Sequence, residues 1–276
     1  FDGIFDDACV NDDSVIPPLS GPPPSPVLDS RILFRSATGG TFFLRVLDVR
    51  GDARPDMLYN VVMSGAGQAP PPAGCDSDFD GGPAGTGTDF TTAANWNPDG
   101  IPTGAVCIGP SFIVSYSSLA PTTVASLQNI AGTLNINGGT LTVTTSTAVG
   151  GTLNSAGGTL NLGGASNFTN LTMNGGTVNF NGTFQSIQSL TFNSGILSSN
   201  SGSVGLPPGY THNGGTLRLA GGNVFTGGII NLVNGTIEGG TPGFLSGSIN
   251  QTGGTISPGL SPGILNLTSN FTQGVG

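Results

Sequence analysis

A short acidic motif, residues 76–81 (DSDFDG), carries the residue types best suited to chemistry in this chain. Three carboxylates at alternate positions before a glycine begin the loops that bind Ca²⁺, because the glycine permits a sharp bend and the oxygens lie on one side of it. Such loops end with a bidentate Glu at the twelfth position, where this chain has Gly87, and Asp89 can substitute for it. Two interpretations follow: a solvated acidic turn, or a Ca²⁺ site formed by Asp76, Asp78, Asp80 and Asp89.

The other candidates for catalysis are few. His212 is the only histidine, and neighbouring repeats have apolar residues at its position, so we expect a buried side chain with one hydrogen bond. Arg218 and Glu238 are the only charged residues after Asp99, and each follows a repeat glycine by three residues, which predicts an exposed ion pair. β-Helical polysaccharide lyases and hydrolases need several carboxylates and basic groups on one face. We therefore predict that the chain is not an enzyme.

The three cysteines, Cys9, Cys75 and Cys107, are enough for one disulfide and a leftover thiol. Cys75 and Cys107 bracket a stretch with little repeat structure, and a disulfide stabilises such a segment of an exported protein by about 2–4 kcal/mol. We predict that these two residues are bonded. The pairing of Cys9 stays open and includes an intermolecular bridge.

The composition excludes several classes of protein. The chain has 276 residues, a net charge of −9, no Lys and six Arg, so it lacks the clustered basic residues of nucleic-acid binding proteins. No apolar run approaches the ~18 residues that span a bilayer. Although Gly and Pro are abundant, 36% of the residues are hydrophobic and they are regularly spaced. A folded chain is therefore expected rather than a disordered one.

A repeat becomes visible when the second glycine of each NGGT-like turn is used as an anchor. The anchors are 18 to 20 residues apart and are Gly139, Gly158, Gly176, Gly195, Gly215, Gly235 and Gly254. The residues five before and two after each anchor are apolar in all seven repeats, and alternate positions on either side mark two β-strands around a glycine corner. One repeat cannot bury its apolar face alone, whereas stacked repeats can. The predicted fold is all-β, a right-handed parallel β-helix with about 19 residues per turn.

Five segments follow from these patterns. They are an acidic, Pro-rich extended arm (1–30), a small β hairpin or sheet (31–66), a Pro-rich linker (67–74), an irregular N-terminal cap that contains Trp96 (75–123), and the parallel β-solenoid (124–276).

Three stretches carry a resemblance to a known family: residues 87–109 (GTDFTTAANWNPDGIPTGAVCIG), 126–143 (SLQNIAGTLNINGGTLTV) and 253–273 (GGTISPGLSPGILNLTSNFTQ). Together, residues from about 85 to 276 resemble secreted bacterial surface proteins with autotransporter-associated β-strand repeats, most specifically from Ser257 to Leu267. The resemblance implies an exported passenger, an adhesin or a matrix component, and it implies no activity. In that family more chain follows this stretch, and the chain begins at Phe1 rather than Met, so we expect a truncated or processed product.

The expected function is therefore that of an extracellular or cell-surface structural protein of a bacterium, a self-assembling subunit of a filament, sheath or matrix. The alternative is an adhesin passenger or binding module that recognises a glycan or a host surface. Assembly would be a head-to-tail homopolymer in which the arm contacts a neighbouring subunit through Phe1, Ile4, Phe5 and Cys9. Ca²⁺ is the only cofactor that the sequence suggests.

Overall fold

The computed structural model describes residues 71–240, 243–259 and 264–274, which lie in a compact unit that spans Pro70–Gly276. The predicted arm (1–30), the β-rich segment (31–66) and most of the linker (67–74) lie outside the described residues. Apart from one 3₁₀ turn, Ala93–Asn95, the regular structure of the described residues is β, which confirms the all-β prediction. No helix among them is long and apolar enough to cross a bilayer.

The strands follow one another in short segments. In chain order they are β1 Ser77–Phe79, β2 Trp96–Asn97, β3 Ala105–Ile108, β4 Ile113–Tyr116, β5 Thr122–Ile130, β6 Thr133–Ile136, β7 Thr140–Ser155, β8 Thr159–Leu162, β9 Ser166–Phe180, β10 Phe184–Ser199, β11 Ser203–Leu206, β12 Thr211–His212, β13 Thr216–Leu219, β14 Asn223–Leu232, β15 Thr236–Glu238, β16 Phe244–Gln251, β17 Thr255–Ser257, β18 Asn266–Leu267 and β19 Phe271–Gln273. The long strands β7, β9 and β10 each run through three successive segments of a turn.

Parallel pairing between successive turns arranges these segments in three ladders. The first ladder contains 77–79, 105–108, 126–130, 146–149, 166–168, 185–187, 203–206, 223–226, 244–246 and 266–267. The second ladder contains 113–116, 133–136, 152–155, 170–173, 189–192, 211–212, 229–232, 248–251 and 271–273. The third ladder contains 122–124, 140–143, 159–162, 177–180, 196–199, 216–219, 236–238 and 255–257.

The predicted parallel β-solenoid with about 19 residues per turn is therefore confirmed. The column five before the anchors lies in the second ladder, where Leu153 pairs in register with Leu171 and Leu171 with Leu190. The column two after the anchors lies in the third ladder, from Leu141 to Ile256. The first ladder was not predicted, because the sequence pattern indicated only two strands per turn.

The parallel stack begins inside the segment predicted as an irregular cap. β1 pairs in parallel with β3, and β3 with β5, while β2 covers the other edge of β1 in an antiparallel pair. Aromatic rings fill the interior here: Trp96 is fully buried, its ring centroid lies 4.9 Å from that of Phe90, and its indole N–H donates to the Phe90 carbonyl. Trp96 thus packs the interior of the first turns.

The anchor glycines form the corners between the second and third ladders. All seven have a positive φ, between 64° and 96°, a conformation that is unfavourable for residues with a Cβ. The neighbouring turn also leaves no room, since a Cβ on Gly176 would lie 2.6 Å from the Gly157 carbonyl oxygen. The repeat glycine is therefore required by both the corner and the stacking.

Candidate functional site

The predicted disulfide is present. Cys75 and Cys107 are bonded, with their Cα atoms 5.8 Å apart, and Cys107 lies in β3 beside its pairing partner Asp78 of β1. The bond therefore joins the start of the stack to the next turn, and it restricts the unfolded chain by closing a loop across a sequence separation of 32.

The acidic motif adopts a strand at its centre, which corrects the predicted turn. Ser77 and Phe79 of β1 are buried, so the intervening Asp78 lies on the outward side. Within the motif the flanking carboxylates bind nearby backbone: Asp76 Oδ2 accepts a hydrogen bond from the Ala105 N–H at 2.8 Å, and Asp80 Oδ1 accepts one from the Gly82 N–H at 2.8 Å. These bonds tie the motif to β3 and to the turn that follows β1.

Asp89 and Asp78 differ in their surroundings. Asp89 Oδ1 accepts from both the backbone and the hydroxyl of Thr91, at 2.8 Å each, and Oδ2 accepts from the Thr92 hydroxyl. Burial, and then the nearby carboxylate of Asp80, raise the pKa of Asp78 above its usual value. Among the described residues, no group of three or more His, Cys, Asp or Glu side chains is arranged to hold a metal ion. Ca²⁺ binding at these four residues stays a prediction.

The predicted assembly residues Phe1, Ile4, Phe5 and Cys9 lie outside the described residues, and their role stays a prediction.

His212 lies in β12 with its side chain fully buried. Its ring centroid is 5.1 Å from that of Phe192, and a hydrogen bond of 2.8 Å links its Nδ1 to the Tyr210 hydroxyl. No partner for Nε2 is present among the described residues. Burial lowers the pKa of His212 and raises that of Tyr210. The predicted buried histidine with one hydrogen bond is confirmed.

The predicted ion pair is also confirmed. Arg218 and Glu238 face each other across adjacent turns of the third ladder, with Arg218 Nε 2.9 Å from Glu238 Oε2. Both side chains are partly exposed, so the pair contributes at most about 1 kcal/mol to stability.

Amide side chains form bridges along the outside of the solenoid. In each bridge the Nδ2 group of one asparagine donates to the Oδ1 of another one turn away, at 2.8 Å; the pairs are Asn154–Asn135, Asn179–Asn161, Asn193–Asn174 and Asn200–Asn181. Each bridge satisfies polar groups without using charge, so the outer surface reinforces the stacking of the turns.

The second ladder is interrupted between β10 and β12. Residues 189–192 of β10 pair with β9, and the ladder resumes where β12 pairs with β14. The first and third ladders continue past this turn through the β10–β11 and β10–β13 pairs. The interruption is thus a local opening in one ladder of a continuous solenoid.

Two prolines and one extra residue explain the opening. Residue 184 pairs with 203, an offset of 19, whereas 196 pairs with 216, an offset of 20, so one residue is inserted between these pairs. Pro207 and Pro208 lie in this stretch, and proline has no N–H to donate to a neighbouring strand. After Leu206, the last residue of its first-ladder segment, the chain therefore does not pair with residues 189–192 of β10, and it enters the second ladder only at Thr211, which pairs with β14.

A shallow, open cleft of about 340 Å³ lies at this opening. Leu190 at its wall is only partly buried, whereas its column neighbour Leu171 is 1% exposed. The polar side chains of the rim are exposed and uncharged: Gln188, Ser189, Thr191, Thr211 and Asn213. Sequence reasoning missed this cleft, although the 20-residue spacing from Gly195 to Gly215 and the two prolines were visible.

Comparison with protein-family models, with curated proteins and with solved structures found no match to this chain. The relation to autotransporter-associated repeats therefore stays a resemblance carried by the motifs in residues 85–276.

Proposed function

We propose that the chain is an extracellular structural protein of a bacterial surface, a subunit that assembles head to tail into a filament, sheath or matrix. The observation that carries this proposal is the stack of parallel turns, held together by backbone ladders and by uncharged asparagine bridges. Such a stack resists unfolding along its whole length because every turn is bonded to its neighbours.

Two features support an extracellular location. The Cys75–Cys107 disulfide fits an oxidising compartment. Residues 71–276 contain no Lys and a single Arg, Arg218, so that trypsin-like proteases find few sites. The resemblance to secreted surface proteins points in the same direction.

The pairing of the strands supports growth at one end of the stack. The first strand is covered, because β1 pairs with β3 on one side and with the antiparallel β2 on the other. At the far end of the described residues, β17, β18 and β19 each pair on one side only. A strand that is paired on one side only can accept a further strand, and we propose that in the assembly the arm of a second copy, residues 1–30, lies beside it.

The test compares the full chain with a variant that lacks residues 1–30. We expect the full chain to scatter light increasingly with concentration and to form filaments in negative stain, and the shortened chain to stay monomeric. A monodisperse full-length monomer would contradict the assembly proposal. Filaments that form equally well without residues 1–30 would exclude the arm as the connector.

The cleft between β10 and β12 favours a second candidate function, an adhesin passenger or binding module for a glycan or a host surface. A purely structural stack has no need for an opening in one ladder, whereas a binding module needs exposed hydrogen-bonding groups in a concave site. The two functions are compatible, because the cleft occupies a single turn.

A further inference from the structure

We infer that the cleft between β10 and β12 binds a neutral sugar residue, as at the end of a surface glycan. This inference rests on the second candidate function and is independent of self-assembly.

Along the strand direction the cleft is bounded at both ends, which excludes a long extended strand as its occupant. At one end Ser186 pairs with Gly205. At the other end the chains again lie in contact, because a side chain on Gly214 would overlap the Asn193 carbonyl. A peptide longer than the four unpaired residues of β10, 189–192, that added a strand to this edge would have to pass through one of these contacts. A compact ligand avoids this restriction, and 340 Å³ suits about one or two sugar rings.

The lining selects a neutral ligand with many hydroxyl groups. Hydroxyls of Ser189, Thr191 and Thr211 and amides of Gln188 and Asn213 surround the opening, and these groups donate and accept hydrogen bonds equally well. The lining contains no charged side chain among the described residues, so an acidic or basic ligand would find no partner there.

Apolar surface lies beside these polar groups. Pro208 is exposed at the rim and Leu190 is partly exposed in the wall. A sugar ring has both a hydroxylated edge and an apolar C–H face, so it matches a cleft in which polar and apolar groups alternate. A ligand with only one of these surfaces would leave part of the lining unsatisfied.

Saturation-transfer NMR on the intact chain tests this inference. The probes are methyl hexosides and methyl N-acetylhexosaminides as neutral sugars, methyl glucuronide as an acidic sugar, and acetyl-Val-Thr-Val-Thr-amide as an extended peptide. We expect saturation transfer to at least one neutral sugar and at least tenfold less to the other two probes. Transfer to no neutral sugar, or stronger transfer to the glucuronide or the peptide, would overturn the inference.

Three variants locate the binding. Ser189→Trp fills the cleft from an exposed position and should reduce the signal at least tenfold, whereas Thr152→Trp, in the same column two turns away where the ladder is intact, should leave it unchanged. The double variant Thr191→Val, Thr211→Val keeps the shape of the cleft and removes two hydroxyls, and should weaken binding severalfold even if the tryptophan variant fails to fold. Sugar binding that survives all three changes would support a binding module with another site and would overturn the role of the cleft. Filament formation without sugar binding would remove the inference and leave the assembly proposal intact.

Discussion

At the scale of single residues, the corners of the turns allow the least variation. Gly176 combines a φ of 69° with close contact to the preceding turn. Gly176→Ala should lower the free energy of unfolding by at least about 1–2 kcal/mol, the cost of the left-handed conformation for a residue with a Cβ, with the overlap adding to it.

The matched control is Gly150→Ala, because Gly150 is exposed, has no positive φ, and would place its Cβ 3.9 Å from the nearest atom. This change should alter stability by less than about 0.5 kcal/mol. Urea denaturation measures the free energy of unfolding of both variants. Equal losses of this free energy in Gly176→Ala and Gly150→Ala would show that the corner does not have the described geometry.

His212 should make the stability of the chain sensitive to mild acid. Its pKa is lowered by burial, so the unfolded chain binds more protons than the folded chain as the pH falls below about 6.5. Stability is therefore complete above that pH and decreases towards pH 5. The packed neighbours Phe192, Tyr210 and Leu232 carry no charge that would offset the proton.

Denaturation midpoints between pH 8 and pH 5 measure this effect. We expect His212→Leu to flatten the pH dependence, and Tyr210→Phe, which keeps the imidazole, to preserve it. Parallel curves for the original chain and His212→Leu would rule out this histidine as the source.

At the scale of elements, the interruption of the second ladder divides one apolar column into two parts. Leu171 is fully enclosed by neighbours in both adjacent turns, whereas Leu190 has a pairing partner on one side only. Leu171→Ala should therefore cost about 2–5 kcal/mol of stability, and Leu190→Ala clearly less. Thermal or urea unfolding of the two variants makes the comparison, and an equal loss would mean that the ladder is closed at β12.

The first strand of the stack offers a test of the acidic motif. The raised pKa of Asp78 means that the folded chain holds this proton more tightly than the unfolded chain, so stability falls as the pH rises past the usual range of an Asp. In EDTA at neutral pH, Asp78→Asn should raise the melting temperature, and the gain should vanish below about pH 4.

Melting temperatures of the original chain and of Asp78→Asn, with and without Ca²⁺, also distinguish a Ca²⁺ site from a solvated acidic segment. If Ca²⁺ binds at Asp76, Asp78, Asp80 and Asp89, added Ca²⁺ raises the melting temperature of the original chain and leaves that of Asp78→Asn unchanged. If the carboxylates have only the hydrogen bonds described above, Ca²⁺ shifts neither protein.

Two of the three ladders could be predicted from the sequence, whereas the first ladder, the strand in the acidic motif and the cleft could not. The second and third ladders were predictable because their apolar positions keep a constant distance from the anchor glycines. The first ladder was not, since its spacing changes between turns: Val149 precedes its anchor by nine residues and Phe168 by eight. In the acidic motif the sequence pattern predicted a loop, whereas Ser77 and Phe79 pack inward and the segment forms a strand. The cleft could not be predicted because its side chains are polar residues of the kind found on any surface. They line one site only because β10 and β12 are not paired.

At the scale of the whole molecule, we propose that the solenoid is a stack that continues from one subunit to the next. Each turn adds about 4.8 Å along the stacking axis, because the strands lie across it. Subunits joined head to tail would preserve this repeat along a filament, whereas subunits joined side by side or through flexible segments would not.

Fibre diffraction from oriented filaments of the full-length chain tests this claim most directly. We expect the chain to form filaments without ligand, and these filaments to give a sharp reflection near 4.8 Å on the meridian. A 4.8 Å reflection on the equator, or a full-length chain that stays monomeric at every concentration, would contradict it.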